Sequence, residues 1–70
     1  MFRIKEYGRT ELAQMYSPDI QPESAWRKLK AWIVHKPGLM DCLIELGYDG
    51  RRRSFTPAMV QAIVDGIGEP

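Results

Sequence analysis

Residues 22–36, PESAWRKLKAWIVHK, decide the fold. Pro22 suits the first position of a helix, where its missing N–H would have no partner anyway. Ile20 stands where a hydrophobic staple onto Ala25 would fix the helix start. Wound at roughly 100° per residue, Ala25, Trp26, Leu29, Trp32 and Ile33 fall on one arc of about 120°. Arg27 lies nearly opposite the middle of that arc and Lys28 and Lys30 flank it, while Ser24, Ala31, Val34 and His35 complete the outer side. The segment therefore predicts an amphipathic helix over 22–35, with an apolar face for a core and a basic face for solvent. Trp26 and Trp32 border the apolar arc at opposite edges and are expected to pack into the core.

Working outward, Thr10 is a good N-cap for a first helix over 10–16 that carries Leu12, Ala13, Met15 and Tyr16. Ser17-Pro18-Asp19 ends it, because Pro18 disfavours helical geometry in the residue before it. Pro37-Gly38 closes the second helix and opens a third over 38–46, on which Leu39, Met40, Leu43, Ile44 and Leu46 recur with helical spacing. Gly47 reads as its stop, and Cys42, beside Leu43 and Ile44, as a buried small hydrophobe. Asp41 and Glu45 form a like-charged pair at i, i+4 on its exposed side. Residues 48–55 read as a hairpin or extended loop turning at Asp49-Gly50. Thr56-Pro57 then starts a fourth helix over 57–66 as N-cap and N1, and Phe55 is placed to staple onto Val60. Near the start of the chain, Phe2-Arg3-Ile4-Lys5 alternates as a short half-buried strand would.

Composition narrows the function more by exclusion than by signature. Seventy residues make a single small domain, 1–70, with modest stability expected at that size. One cysteine rules out an internal disulfide framework and fits a reducing cytoplasm. The opening MFRIKEYGRTEL has no apolar signal core, and no apolar run reaches a membrane span, so neither export nor a membrane partner is expected. A single histidine, a single cysteine and the absence of a Gly-rich phosphate loop leave little for catalysis, a metal, a cofactor or a small-molecule substrate. An enzyme is not expected.

Charge carries the positive signal. Arg27, Lys28, Lys30 and Lys36 in one run, and Arg51, Arg52 and Arg53 in another, hold +7 with no acid among them. The rest of the chain has three basic and nine acidic residues, a net −6. One reading of the first run is an ordinary solvated helix face, but Glu23 is the only acid on that helix, so salt bridging within it does not explain the composition. The other reading is recognition of nucleic acid, most simply double-stranded DNA. Ser24, Arg27, Lys28 and Ala31 would then face bases, Lys30 and Lys36 phosphates, and Arg51, Arg52 and Arg53 the backbone or minor groove. Side chains alternate along an extended segment, so at least one of the three arginines should face away from the others, toward Asp49 or a helix terminus. If about six of the seven basic residues met phosphates, the salt slope of binding would be near −5.

The stretches YGRTELAQMY (7–16), AWRKLKAWI (25–33), PGL (37–39), LGYDGRRRSFTP (46–57) and the final GEP together resemble a family of very small bacterial proteins of unassigned function known from gut bacteria. That resemblance spans nearly the whole chain and implies no catalytic residue, cofactor or ligand. More distantly, the order of elements resembles the winged helix-turn-helix of mercury-resistance-type regulators and phage excisionases, with GRRRSFTPAMV (50–60) at the wing and following helix. There a basic helix after a turn is the recognition helix. The connector here, 17–21, is longer than the three- or four-residue turn of the compact motif, and the third helix is an insertion before the wing.

The expected fold is thus mainly α, a four-helix, winged helix-turn-helix-like domain with a small β hairpin. The expected function is a DNA-binding accessory or regulatory protein. The rival is a protein-interaction module, a homodimer included, that pairs its basic face with an acidic surface such as the Asp41/Glu45 side of another copy. A small antitoxin-like or phage-derived inhibitor is a third reading.

Overall fold

Phe55 has no exposed surface, and its ring centre lies 5.8 Å from that of Trp26 and 5.6 Å from that of Tyr48. The elements of the computed structural model, which describes residues 2–70, are assembled around this aromatic centre. They are β1 (Tyr7–Gly8), α1 (Arg9–Tyr16), α2 (Pro22–His35), α3 (Leu39–Glu45), β2 (Ser54–Phe55) and α4 (Pro57–Ile67). The fold is mainly helical, with one small two-stranded antiparallel sheet. Leu12 from α1, Leu29 and Ile33 from α2, Leu43 from α3, and Met59 and Ile63 from α4 complete the core.

The sheet pairs Tyr7 with Phe55 and Gly8 with Ser54, so the partner of β2 comes from the N-terminal segment and not from within 48–55. Asp49 explains why the loop does not fold back on itself. Its Oδ1 accepts the backbone N–H groups of Arg51 at 2.8 Å and Arg52 at 3.1 Å, an Asx turn that removes the donors a hairpin ladder would need. The sheet then continues into α1, where the Arg9 N–H donates to the Arg53 carbonyl at 2.8 Å. Residues 2–5 form no strand, and Ile4 is largely exposed. A two-residue strand is too short to show alternation, which is why the period-2 signal points to the wrong place.

Helix starts follow the caps. α1 begins at Arg9 with Gly8 at the cap, two residues before the cap position expected at Thr10. Glu11 Oε1 accepts the Gly8 N–H at 3.0 Å, and Gly8 is already positioned by its pairing in the sheet. α2 starts at Pro22 as its sequence predicts, without a side-chain cap from Gln21. Ile20 is 38% exposed, whereas Ala25 is fully buried. α4 is capped as expected: Thr56 Oγ1 accepts the Met59 N–H at 3.3 Å, and Phe55 and Val60 are both fully buried around that start.

α3 ends in a Schellman motif. The Tyr48 N–H donates to the Leu43 carbonyl at 2.9 Å and the Gly47 N–H to the Ile44 carbonyl at 3.0 Å. This closure needs Gly47 at φ +107°, and it drives Tyr48 back into the core beside Leu43. Cys42 is exposed, contrary to the sequence reading. On so short a helix Leu39 and Leu43 fill the one face that meets the core, and Cys42, a quarter-turn or so away, is turned out of it. The two tryptophans separate as well, with Trp26 buried and Trp32 38% exposed.

Candidate nucleic-acid interface

Ser24, Arg27, Lys28, Lys30, Ala31 and Lys36 are all exposed, as an outward basic face requires. Their placement is not uniform. At roughly 100° per residue, Ser24 and Ala31 make the outermost ridge of α2, with Arg27 on one side of it and Lys28 on the other. Lys28 holds its ammonium 5.3 Å from the centre of the Trp32 ring, which fixes it toward the α1 side of the helix. Lys36 lies past the end of α2, at the corner with Pro37, Gly38 and the α4 residues Ala62 and Asp65, apart from the ridge.

The loop between α3 and β2 runs along the other side of α2. Lys30 lines an apolar pocket with Met40, Ile44, Tyr48, Asp49 and Gly50, so the turn of the loop lies beside the middle of α2. Arg53 lines a polar pocket with Arg9, Thr10 and Glu23, so the end of the loop lies beside the helix start. Glu23, Arg27 and Lys30 are spaced i, i+4, i+7 and therefore share one edge of α2. The loop passes along that edge, which brings the two basic runs side by side.

Within the loop the three arginines divide. Arg51 and Arg53 are exposed, whereas Arg52 is partly buried and its Nε donates to the Ser54 carbonyl at 3.2 Å. Arg52 is the one of the three that is partly buried, and its partner is a strand carbonyl, not Asp49 or a helix terminus. The Asp49 carboxylate is occupied by backbone N–H groups.

Two residues that the sequence did not assign to a site belong to this corner. Arg9 has its guanidinium 5.3 Å from the Trp26 ring centre and joins Arg53 through the sheet. Glu23 lines the same pocket as Arg9 and Arg53 and stands one helical turn before Arg27. No local pattern announces Arg9, because only the pairing of β1 with β2 brings it near the basic loop.

The tyrosines around the site report its packing. Burial pushes the Tyr16 hydroxyl up to about 12, with the charge of Glu69 adding to the shift. That hydroxyl donates to the Gly68 carbonyl, and the ring meets Trp32 edge-on at 6.1 Å. Burial also raises Tyr48, a shift opposed by the Arg9 cation and assisted by Asp49. Among the described residues no three His, Cys, Asp or Glu side chains come together to hold a metal ion. No helix among them is long and apolar enough to cross a membrane.

Neither the curated proteins nor the solved structures contain a match to this chain. The family profile for Domain of unknown function (DUF4248) matches residues 3–70, nearly the whole chain, and the chain belongs to that family.

Proposed function

We propose that the chain is a non-catalytic, cytoplasmic DNA-binding domain of accessory or regulatory type. The outer face of α2 lies in a groove of the duplex while the Arg51–Arg53 loop rests on the adjacent backbone. The observation that carries this reading is the course of the loop along the Glu23–Lys30 edge of α2. Two clusters of positive charge on neighbouring ridges match the spacing of a groove and its phosphates better than either cluster alone. Ser24 and Ala31 are small, so the helix can approach base edges closely, and Arg27 and Lys28 flank them to contact bases or phosphates. Arg51 and Arg53 supply the backbone clamp, and the lone thiol of Cys42 suits a reducing compartment.

Binding of a generic duplex, followed by fluorescence anisotropy at low salt, tests the reading. Combined Arg27→Gln, Arg51→Gln and Arg53→Gln substitution should weaken it by at least roughly tenfold. Absence of binding by the unsubstituted chain at low salt would overturn it.

A further inference from the structure

Trp32 stands 38% exposed although it belongs to the apolar arc of α2. Its indole lines an open pocket of about 460 Å³ together with His35, Lys36 and Ile67. The Lys28 ammonium lies 5.3 Å from the centre of the same ring. Lys28, Trp32 and Lys36 are spaced i, i+4 and i+8, and the Lys36 N–H still donates to the Trp32 carbonyl at 3.1 Å. They therefore form one row along α2, an aromatic ring with a cation before and after it. Behind the row, Tyr16 meets the indole edge-on at 6.1 Å, and its own hydroxyl is tied to the Gly68 carbonyl.

This row is not the surface that carries the Arg51–Arg53 loop. Trp32 lies about 140° or more around α2 from Glu23, Arg27 and Lys30, the edge along which that loop runs. Among the described residues, no carboxylate lines the Trp32 pocket. Two acids bear on its surroundings. Asp65 shares a neighbouring pocket with Lys36, and its Oδ1 accepts the Gln61 amide at 2.8 Å. Glu69 acts on the Tyr16 hydroxyl. At the ring and the pocket themselves the charges are Lys28 and Lys36.

A ligand complementary to this row needs a flat aromatic body for the indole and an anion on each side of it. A nucleotide within a strand has that form, a base flanked by two phosphates. The base must be unpaired, because a base inside a duplex has its faces covered by its neighbours. An acidic peptide or an anionic membrane surface offers the charge without the ring.

We infer that the Lys28–Trp32–Lys36 row binds single-stranded nucleic acid, with a base stacked on the Trp32 indole and its flanking phosphates at Lys28 and Lys36. The inference does not rest on the duplex reading, in which Trp32 has no part. Trp26 is buried, so a change in tryptophan emission on binding reports Trp32.

Titration of the full chain with a single-stranded oligothymidylate at low salt decides it, read by tryptophan emission and, with labelled strand, by anisotropy. The unsubstituted chain should bind with quenching of its emission, and inorganic polyphosphate, an anion without a base, should not quench it. Trp32→Ala should weaken binding by at least about fivefold and abolish the quenching while far-UV circular dichroism stays unchanged. Trp32→Phe should keep most of the affinity. If Trp32→Ala does not fold, the oligothymidylate and polyphosphate comparison on the unsubstituted chain still decides. A duplex held by Arg27, Arg51 and Arg53 leaves Trp32 unquenched, so failure of that reading and failure of this one are distinguishable. Absence of oligothymidylate binding overturns the inference. So does equal quenching by polyphosphate, an affinity that Trp32→Ala leaves unchanged in a folded chain, or quenching by anionic phospholipid vesicles where the oligothymidylate gives none.

Discussion

The Arg9 amide donates a 2.8 Å hydrogen bond to the Arg53 carbonyl, joining the first residue of α1 to the last arginine of the basic loop. The loop is also held at its turn by the Asp49 carboxylate and beyond it by the burial of Phe55. A segment pinned at three places presents Arg51 and Arg53 in a preset position, which lowers the ordering cost of binding. Glu23 brings a carboxylate into the pocket that Arg9 and Arg53 line, one helical turn before Arg27.

If that corner meets phosphate, Glu23 opposes binding. Glu23→Gln should tighten duplex affinity by roughly two- to fivefold at low salt, with the gain shrinking as salt rises. Anisotropy titrations at two ionic strengths read this directly. A loss of affinity would mean that Glu23 is needed to position the arginines.

Phe55 joins β2, α2 and the Tyr48 turn, so its removal should be felt throughout the fold. Phe55→Ala should cost about 3–5 kcal/mol, a large share of the roughly 5–15 kcal/mol that a domain commands. Urea unfolding should show a chain largely unfolded or without a cooperative transition. A midpoint close to that of the unsubstituted chain would contradict the placement of Phe55 at the centre.

The start of α4 rests on one side-chain hydrogen bond, from the Met59 N–H to Thr56 Oγ1. Thr56→Ala should destabilise the fold by about 1 kcal/mol, and Thr56→Ser should retain most of that stability. Equal unfolding midpoints for Ala and Ser would show that the cap contributes nothing.

Tyr16 links the end of α1 to the Gly68 carbonyl near the C-terminus. Its hydroxyl is raised from 10.0 to about 12 in the folded chain, so the folded state holds the proton more tightly than the unfolded one. The stability this confers is complete below pH 10.0 and is lost as pH rises from there to about 12. Tyr16→Phe should remove that part of the alkaline loss. Ultraviolet titration of tyrosinate should show one late-titrating ring that the variant lacks, and an unchanged titration curve would contradict the assignment.

The helices were legible because their signals are local. The period of Ala25, Trp26, Leu29 and Ile33, the Pro22 and Thr56-Pro57 starts and the Gly47 stop each act within a few residues, and the structure places them as read. The sheet was not legible, since Tyr7 and Phe55 find each other only through the packing of everything between them. The same limit applies to the candidate site. Sequence marked Arg27 and Arg51 to Arg53 as basic, but the β1–β2 pairing and the Asp49 turn decide which of them are exposed together. They also bring in Arg9 and Glu23 and tie down Arg52. Cys42 and Trp32 were misjudged because spacing ranks faces of a helix without saying how much of each face the neighbouring helices cover.

The salt dependence of duplex binding tests the central claim most directly. Arg27 and Lys28 are exposed beside the outer ridge of α2 and Arg51 and Arg53 on the loop, whereas Lys30 lines the pocket on the loop side, Lys36 lies past the helix end and Arg52 is held by a strand carbonyl. Contact of these four with phosphate predicts a slope of log K against log salt of about −3.5, reduced to about −1 when Arg27, Arg51 and Arg53 are replaced by glutamine. A slope that the substitutions leave unchanged, or no binding at low salt, would contradict the account.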